Sequence, residues 1–219
     1  MTQQAPADLE AALKQAIENY ETTWQQVDTE LYNLCHRRPS QRTFTDVYAK
    51  VAMIGRVYEA GIARAAKVSG NREAAVARGL IEQANLIDET LNALEGKQFD
   101  RATAAQVIEL HGRVTRGLEP HTGVWLTSFV SKYLHFHCPL VPIYDSIAAG
   151  AIGRFVDWGT VDQVRAPFMD LPDWSRAYRN YVAAFVVLYE QALAGTPLQP
   201  SVRDIDYLLW QPAPGMASP

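Results

Sequence analysis

The chain has 219 residues, 48% apolar and 20% charged, which suits one globular domain over 1–211 and excludes a largely disordered protein. A net charge of −4 excludes broad, non-specific nucleic-acid binding but leaves room for a local basic groove. No apolar run reaches the roughly 18 residues that a transmembrane helix needs, so no membrane partner is expected.

The first element shows a helical period in Leu9, Leu13, Ala16, Tyr20, Trp24, Val27, Leu31 and Leu34. It predicts a helix from Asp8 to Arg38, ended by Pro39, with room for a break near Thr22-Thr23. Thr43 or Thr45 can cap a second helix carrying Val47, Val51, Ile54, Tyr58 and Ile62 on one face, closed at Ser69-Gly70-Asn71. A third carries Leu80, Ile81, Ala84, Ile87, Leu91 and Leu94 and stops at Gly96. A fourth runs from Thr103 to Gly117, and Gly117 to Gly123, with Pro120, reads as a turn. The fifth spans Val124 to His137. Pro139 and Pro142 dictate an extended link, after which Asp145 caps a helix from Ser146 to Val156. Ala166 to Pro172 reads as a loop. Asp173 then caps a long apolar helix ending at Gly195, Val202 to Trp210 forms the last helix, and 212–219 reads as a disordered tail. No strand pattern and no repeat occurs. The expectation is an all-α, compact, single-domain bundle of about nine helices.

The Met1-Thr2-Gln3-Gln4 start shows no basic stretch followed by an apolar one, so no signal peptide is read and a cytoplasmic location is expected. Cys35 and Cys138 fit no zinc spacing and read as reduced thiols. The basic clusters, His36-Arg37-Arg38 with Arg42 and the pair Arg113 and Arg116, read as solvated helix ends.

Chemistry concentrates in the stretch from Ser128 to Ser146. Helical spacing puts Ser128, Ser131, Lys132 and His135 on one polar stripe of an otherwise apolar, aromatic helix. A lysine there needs a route to water or a partner, and Asp145 is the nearest carboxylate ahead of it. A desolvated lysine is a nucleophile, and a carboxylate beside it activates it or stabilises a cationic sugar-like transition state. The plain alternative is a structural ion pair for Lys132 and an N-cap for Asp145. His135 and His137, two residues apart, do not share a helix face, so no metal is expected, nor any other cofactor. His137 reads as a helix-end residue. Arg56, behind Gly55 in an apolar helix, reads as an internal salt bridge or as an anion clamp facing Lys132. Gly55 lets another helix approach closely. Trp24, Trp125, Tyr144 and Trp210 could stack a base, or belong to the core.

Lys132 on one helix, followed by Pro142-Ile143-Tyr144-Asp145 opening the next, resembles the helix–hairpin–helix DNA glycosylases, in particular the 8-oxoguanine type. Arg203, Asp204, Asp206 and Leu209-Trp210 add to that resemblance. It implies a helix–hairpin–helix-glycosylase-like fold, DNA as partner, and a base-excision hydrolase. In it Lys132 is the amine nucleophile and Asp145 the helix-opening aspartate, with Arg56, Ser128, Ser131, His135, His137 and Tyr144 around the substrate. The chain also resembles an uncharacterised bacterial helical family through Ile54-Gly55-Arg56-Val57-Tyr58 and Ser131-Lys132-Tyr133-Leu134-His135-Phe136-His137. That likeness implies no activity. It leaves open a non-catalytic helical binding or bacterial defence protein.

Overall fold

A computed structural model describes residues 6–58, 60–64, 70–172 and 176–211. Among them are eleven α-helices and no strand. They are α1 Pro6–Thr23, α2 Gln25–Arg37, α3 Phe44–Val57, α4 Arg72–Glu82, α5 Ala84–Leu94, α6 Arg101–Thr122, α7 Thr127–His137, α8 Ser146–Ala151, α9 Trp158–Arg165, α10 Arg176–Gly195 and α11 Val202–Trp210. The expected cap Asp173 and the tail 212–219 lie outside the described residues. None of the described helices is long and apolar enough to cross a membrane.

The all-α class agrees with the pattern of apolar residues, but the helix count rises from about nine to eleven for local reasons. The first predicted helix breaks at Trp24, next to the expected Thr22-Thr23. The third breaks at Gln83, whose side-chain amide donates to Gly79 O at 3.1 Å and Val114 O at 3.4 Å. The second ends at Val57 rather than Ile62, which instead starts a short 3₁₀ turn. That turn fills the notch at Gly55, where a Cβ would lie 2.4 Å from Ile62 Cδ1. Gly55 therefore admits its own following turn, not another helix. The unpredicted α9 buries only Val161 and Val164, too few apolar positions to show a period.

α6 continues past Gly117 and Pro120 to Thr122, so the expected turn there contracts to its last residue. Gly123 in the left-handed region, φ +75°, closes it, and its N–H donates to Glu119 O at 2.8 Å. Residues 123–126 then turn the chain into α7, which begins at Thr127 rather than Val124. α4 crosses α6 where glycines leave room. A Cβ on Gly117 would meet the Gln83 amide at 2.3 Å.

α7 is the central helix, packed by α2, α3 and α6. Residues Phe129 to Phe136 are all buried. Each large apolar side chain among them contributes roughly 1.5–3 kcal/mol by leaving water. A helix buried all round must find partners for its polar side chains inside the protein, and the candidate site is built from those partners.

Candidate functional site

Lys132 is 3% exposed and its Nζ lies 3.4 Å from Asp145 Oδ2. It also donates to the carbonyl oxygen of Tyr58 at 3.4 Å. The two oxygens of Asp145 divide their work. Oδ1 accepts the N–H groups of Ile147 at 3.0 Å and Ala148 at 2.9 Å, capping α8, while Oδ2 faces Lys132. The cap and the ion pair are therefore simultaneous, and neither reading of Asp145 displaces the other.

The link before Asp145 is held residue by residue. Tyr178 donates to Pro142 O at 2.8 Å, Ile143 N–H reaches the Asp206 carboxylate at 3.3 Å, and Tyr144 N–H donates to Ser131 Oγ at 3.0 Å. Ser131 in turn donates to Ser128 O at 2.9 Å. The prolines forbid helix here, and these bonds satisfy the backbone groups left over.

Lys132 and Asp145 open onto a cleft of about 720 Å³, walled by Trp24, Tyr58, Trp125, Tyr144 and Trp210 with Ser128 beside the lysine. That volume suits one planar ligand of nucleoside size. Trp24, Trp125 and Ile147 at the rim are 39%, 50% and 52% exposed, so aromatic and aliphatic faces are presented to whatever enters. The amine lies 5.6 Å from the Tyr58 ring centre and 6.0 Å from that of Trp210. Burial pushes its ammonium below the ordinary lysine range, with Arg203 adding to that and Asp145 opposing it.

Lys50 shows what a purely structural lysine looks like in the same protein. Its Nζ has three acceptors, Arg38 O at 2.8 Å, Gln41 Oε1 at 2.8 Å and Ser40 O at 3.2 Å. All three donors of an ammonium are thus used. Lys132 has one carbonyl and one carboxylate, both at 3.4 Å, and lines an open cleft.

Of the eight residues singled out in the sequence, Lys132, Asp145, Ser128 and Tyr144 line the cleft. Ser131 sits behind it, tying the link to α7. Arg56 is on the surface, its side chain 78% exposed and 3.6 Å from Glu73, because the face of α3 that it occupies looks outward. The expected salt bridge is made, to Glu73, but at the surface rather than in the interior, and Arg56 is no clamp beside Lys132. His135 leaves the expected stripe. Its Nδ1–H donates to Val141 O at 2.7 Å, which assigns the proton and leaves Nε2 to accept from the Tyr32 hydroxyl. His137 faces a separate groove of about 820 Å³ with Cys35 and Cys138, on the far side of α7's C-terminus. It is the last residue of α7, as expected, but its Nε2 lies 3.5 Å from the Gln41 amide rather than on a carbonyl.

Sequence reasoning missed the support beneath Tyr58. Asp28, 0% exposed, receives Arg203 through Nε at 2.9 Å and Nη2 at 2.6 Å, and also the hydroxyls of Tyr58 and Tyr207. Arg203 Nη2 donates to the Tyr58 hydroxyl at 2.6 Å. Arg203, Asp206, Tyr207 and Trp210 follow helical spacing along one face of α11, and of them Trp210 lines the cleft. Asp28→Ala is expected to cost about 3–5 kcal/mol, because it removes the two-nitrogen grip on the buried Arg203 charge and leaves only Asp206, 3.8 Å away, as counter-ion. Equilibrium unfolding in guanidinium chloride checks it. The only sequence signal for this pair is an acidic residue within the apolar period of the first helix.

Comparison of the chain with family models, with characterised proteins and with solved structures gives no match.

Proposed function

We propose that this protein is a base-excision glycosylase of helix–hairpin–helix type, with Lys132 as amine nucleophile and Asp145 as its proton acceptor. The observation that carries the reading is a buried, under-coordinated lysine amine 3.4 Å from a carboxylate, open to one aromatic cleft. The helix–turn–helix unit of α6 and α7, turned at Gly123, is consistent with it. Lys132 sits in the middle of α7 rather than in its first turn.

In the reaction the neutral amine adds to C1′ of the flipped nucleotide as the C1′–N bond breaks, and that bond's electron pair leaves with the base. Asp145 takes the proton released from the amine and passes it to the departing base. Opening of the sugar ring, with protonation of its oxygen, leaves an imine between C1′ and Lys132. Trp24, Trp125 and Trp210 supply faces against which the extruded base stacks.

The test is base release from duplex oligonucleotides carrying 8-oxoguanine or other oxidised bases against undamaged duplex. Release from at least one damaged duplex, lost on Lys132→Ala, is expected. No release from any of them contradicts the reading. The cap that Asp145 makes on α8 favours a second reading, a non-catalytic binding protein in which the pair is structural. On that reading Asp145→Asn, which keeps the cap's acceptor oxygen but breaks the ion pair, lowers stability and leaves ligand binding unchanged.

A further inference from the structure

Two cations converge on one ring. Lys132 Nζ lies 5.6 Å and the Arg203 guanidinium carbon 5.7 Å from the centre of the Tyr58 ring. Tyr58 touches both cations through other atoms as well. Its carbonyl oxygen accepts from Lys132 at 3.4 Å, and its hydroxyl accepts from Arg203 at 2.6 Å. We propose that Arg203 is a positioning residue for Lys132, holding Tyr58 against the amine and placing behind it a second positive charge that favours the amine form. The role in turnover rests on the glycosylase reading; the effect on the amine does not.

Arg203 suits this task because it cannot move or lose its charge. Asp28 grips it through two nitrogens, and Tyr207 lies under it with its ring centre 4.3 Å from the guanidinium carbon. A fixed guanidinium stays protonated at any working pH, whereas a lysine in the same place could neutralise. Two cations sharing a low-dielectric site disfavour each other's charge, and only the lysine can respond by giving up its proton. The charged and titratable groups facing Lys132 come from every packed element: Tyr58 just after α3, Asp145 at the start of α8, Arg203 and Asp206 from α11, with Asp28 from α2 behind Arg203. Asp145 favours the ammonium. Arg203 opposes it, and Asp28 partly masks Arg203.

That arrangement predicts changes of opposite sign. Trace acetylation of the whole folded chain with acetic anhydride over a pH series, read by peptide mass spectrometry, gives the half-maximal pH of each lysine. Lys97 serves as surface reference. Arg203→Met removes the rear charge and leaves the Asp28 carboxylate behind, so the half-maximal pH of Lys132 rises and its labelling at neutral pH falls about ten-fold. Asp28→Asn keeps only one acceptor oxygen for the two tyrosine hydroxyls, which bind different oxygens of Asp28, and unmasks Arg203. The half-maximal pH then falls and labelling at neutral pH rises about three-fold. A purely structural role moves neither. Folding of each variant is checked by circular dichroism, and if Arg203→Met does not fold, Asp28→Asn decides alone. An unchanged or raised half-maximal pH for Lys132 in folded Asp28→Asn overturns the proposal. No nucleic acid enters this measurement. Opposed shifts without base release from any duplex would therefore remove the glycosylase reading and leave the positioning role standing.

Discussion

Lys132→Ala is expected to lower base release at least ~10³-fold, with no covalent complex left to capture by borohydride. The size follows from the number of roles lost together. The alanine variant has no nucleophile at C1′ and cannot form the imine, so only the cleft's stacking faces and Asp145 remain. Asp145→Asn separates the roles further. The asparagine oxygen can still accept from Ile147 and Ala148, so α8 stays capped and the stability lost is that of the Lys132 ion pair alone. The site loses its proton acceptor, and a fall of about 10²-fold in turnover is expected. Removal of the carboxylate also removes a group that favours the ammonium, so Lys132 is no more protonated in this variant than in the wild type. Lost turnover in a folded Asp145→Asn protein would thus report proton transfer or charge stabilisation, not a protonated nucleophile. Wild-type turnover in that variant would assign Asp145 to the cap alone.

The second large effect is on stability in mild acid. Burial depresses His111 to about 4, and His135 and His137 to about 3 each, against about 6.5 in the unfolded chain. At pH 7 all three are neutral in both states and cost nothing. As pH falls below about 6.5 the unfolded chain takes up protons that the folded chain refuses, so stability declines until about pH 3–4. Each histidine removes on the order of 3 kcal/mol by pH 4, which together rivals the whole stability of an ordinary domain. Asp206 works in the opposite direction. Burial holds its carboxyl well above the carboxylate range, so the folded state gains a proton there as pH falls. One such group offsets part of the loss from three. Urea unfolding at pH 7.5, 6, 5 and 4.5 should show a midpoint that is flat above pH 6.5 and drops steeply below it. A constant midpoint from pH 7 to pH 5 would contradict the burial of these rings. Of the three, His135 is locked between Val141 and Tyr32, with both ring nitrogens engaged.

Much of the site was legible in the chain because its signals are local. Lys132 stands in an aromatic, apolar helix, and two prolines and a capping aspartate follow it within a few residues. Those features place the lysine on one helix and the carboxylate at the start of the next, and the structure brings them to 3.4 Å. The helical wheel was a poorer guide to which polar neighbours join them. Ser128, Ser131, Lys132 and His135 share a stripe, yet only Ser128 and Lys132 line the cleft. Each turn of a buried helix meets a different neighbour: the linking segment at Ser131, and Tyr32 of α2 at His135. Arg56 was misplaced because its helix reads as apolar, although the face that it occupies is exposed.

Asp28 and Arg203 are 175 residues apart, and no local pattern announces that pairing. It is set by α1, α2 and α11 coming together, as in the stacking of Tyr20 on Tyr207 at 3.7 Å between ring centres. Long-range pairs of this kind escape periodicity and capping rules, because those rules describe what a segment prefers and not what it meets. The shifted helix boundaries have the same origin. Gln83 and Ile62 occupy notches at Gly117 and Gly55, and those tertiary contacts end or break helices whose local sequence would continue.

The central claim is that the Lys132 amine forms a bond to the sugar of an excised nucleotide. Borohydride reduction during turnover on a damaged duplex, followed by digestion and peptide mass mapping, locates that bond among the chain's amines. The account predicts a single sugar remnant on the peptide containing Lys132, reduced in step with turnover in Asp145→Asn. A remnant on Lys50, Lys97 or the chain's N-terminal amine, or base release with no remnant at all, would contradict it.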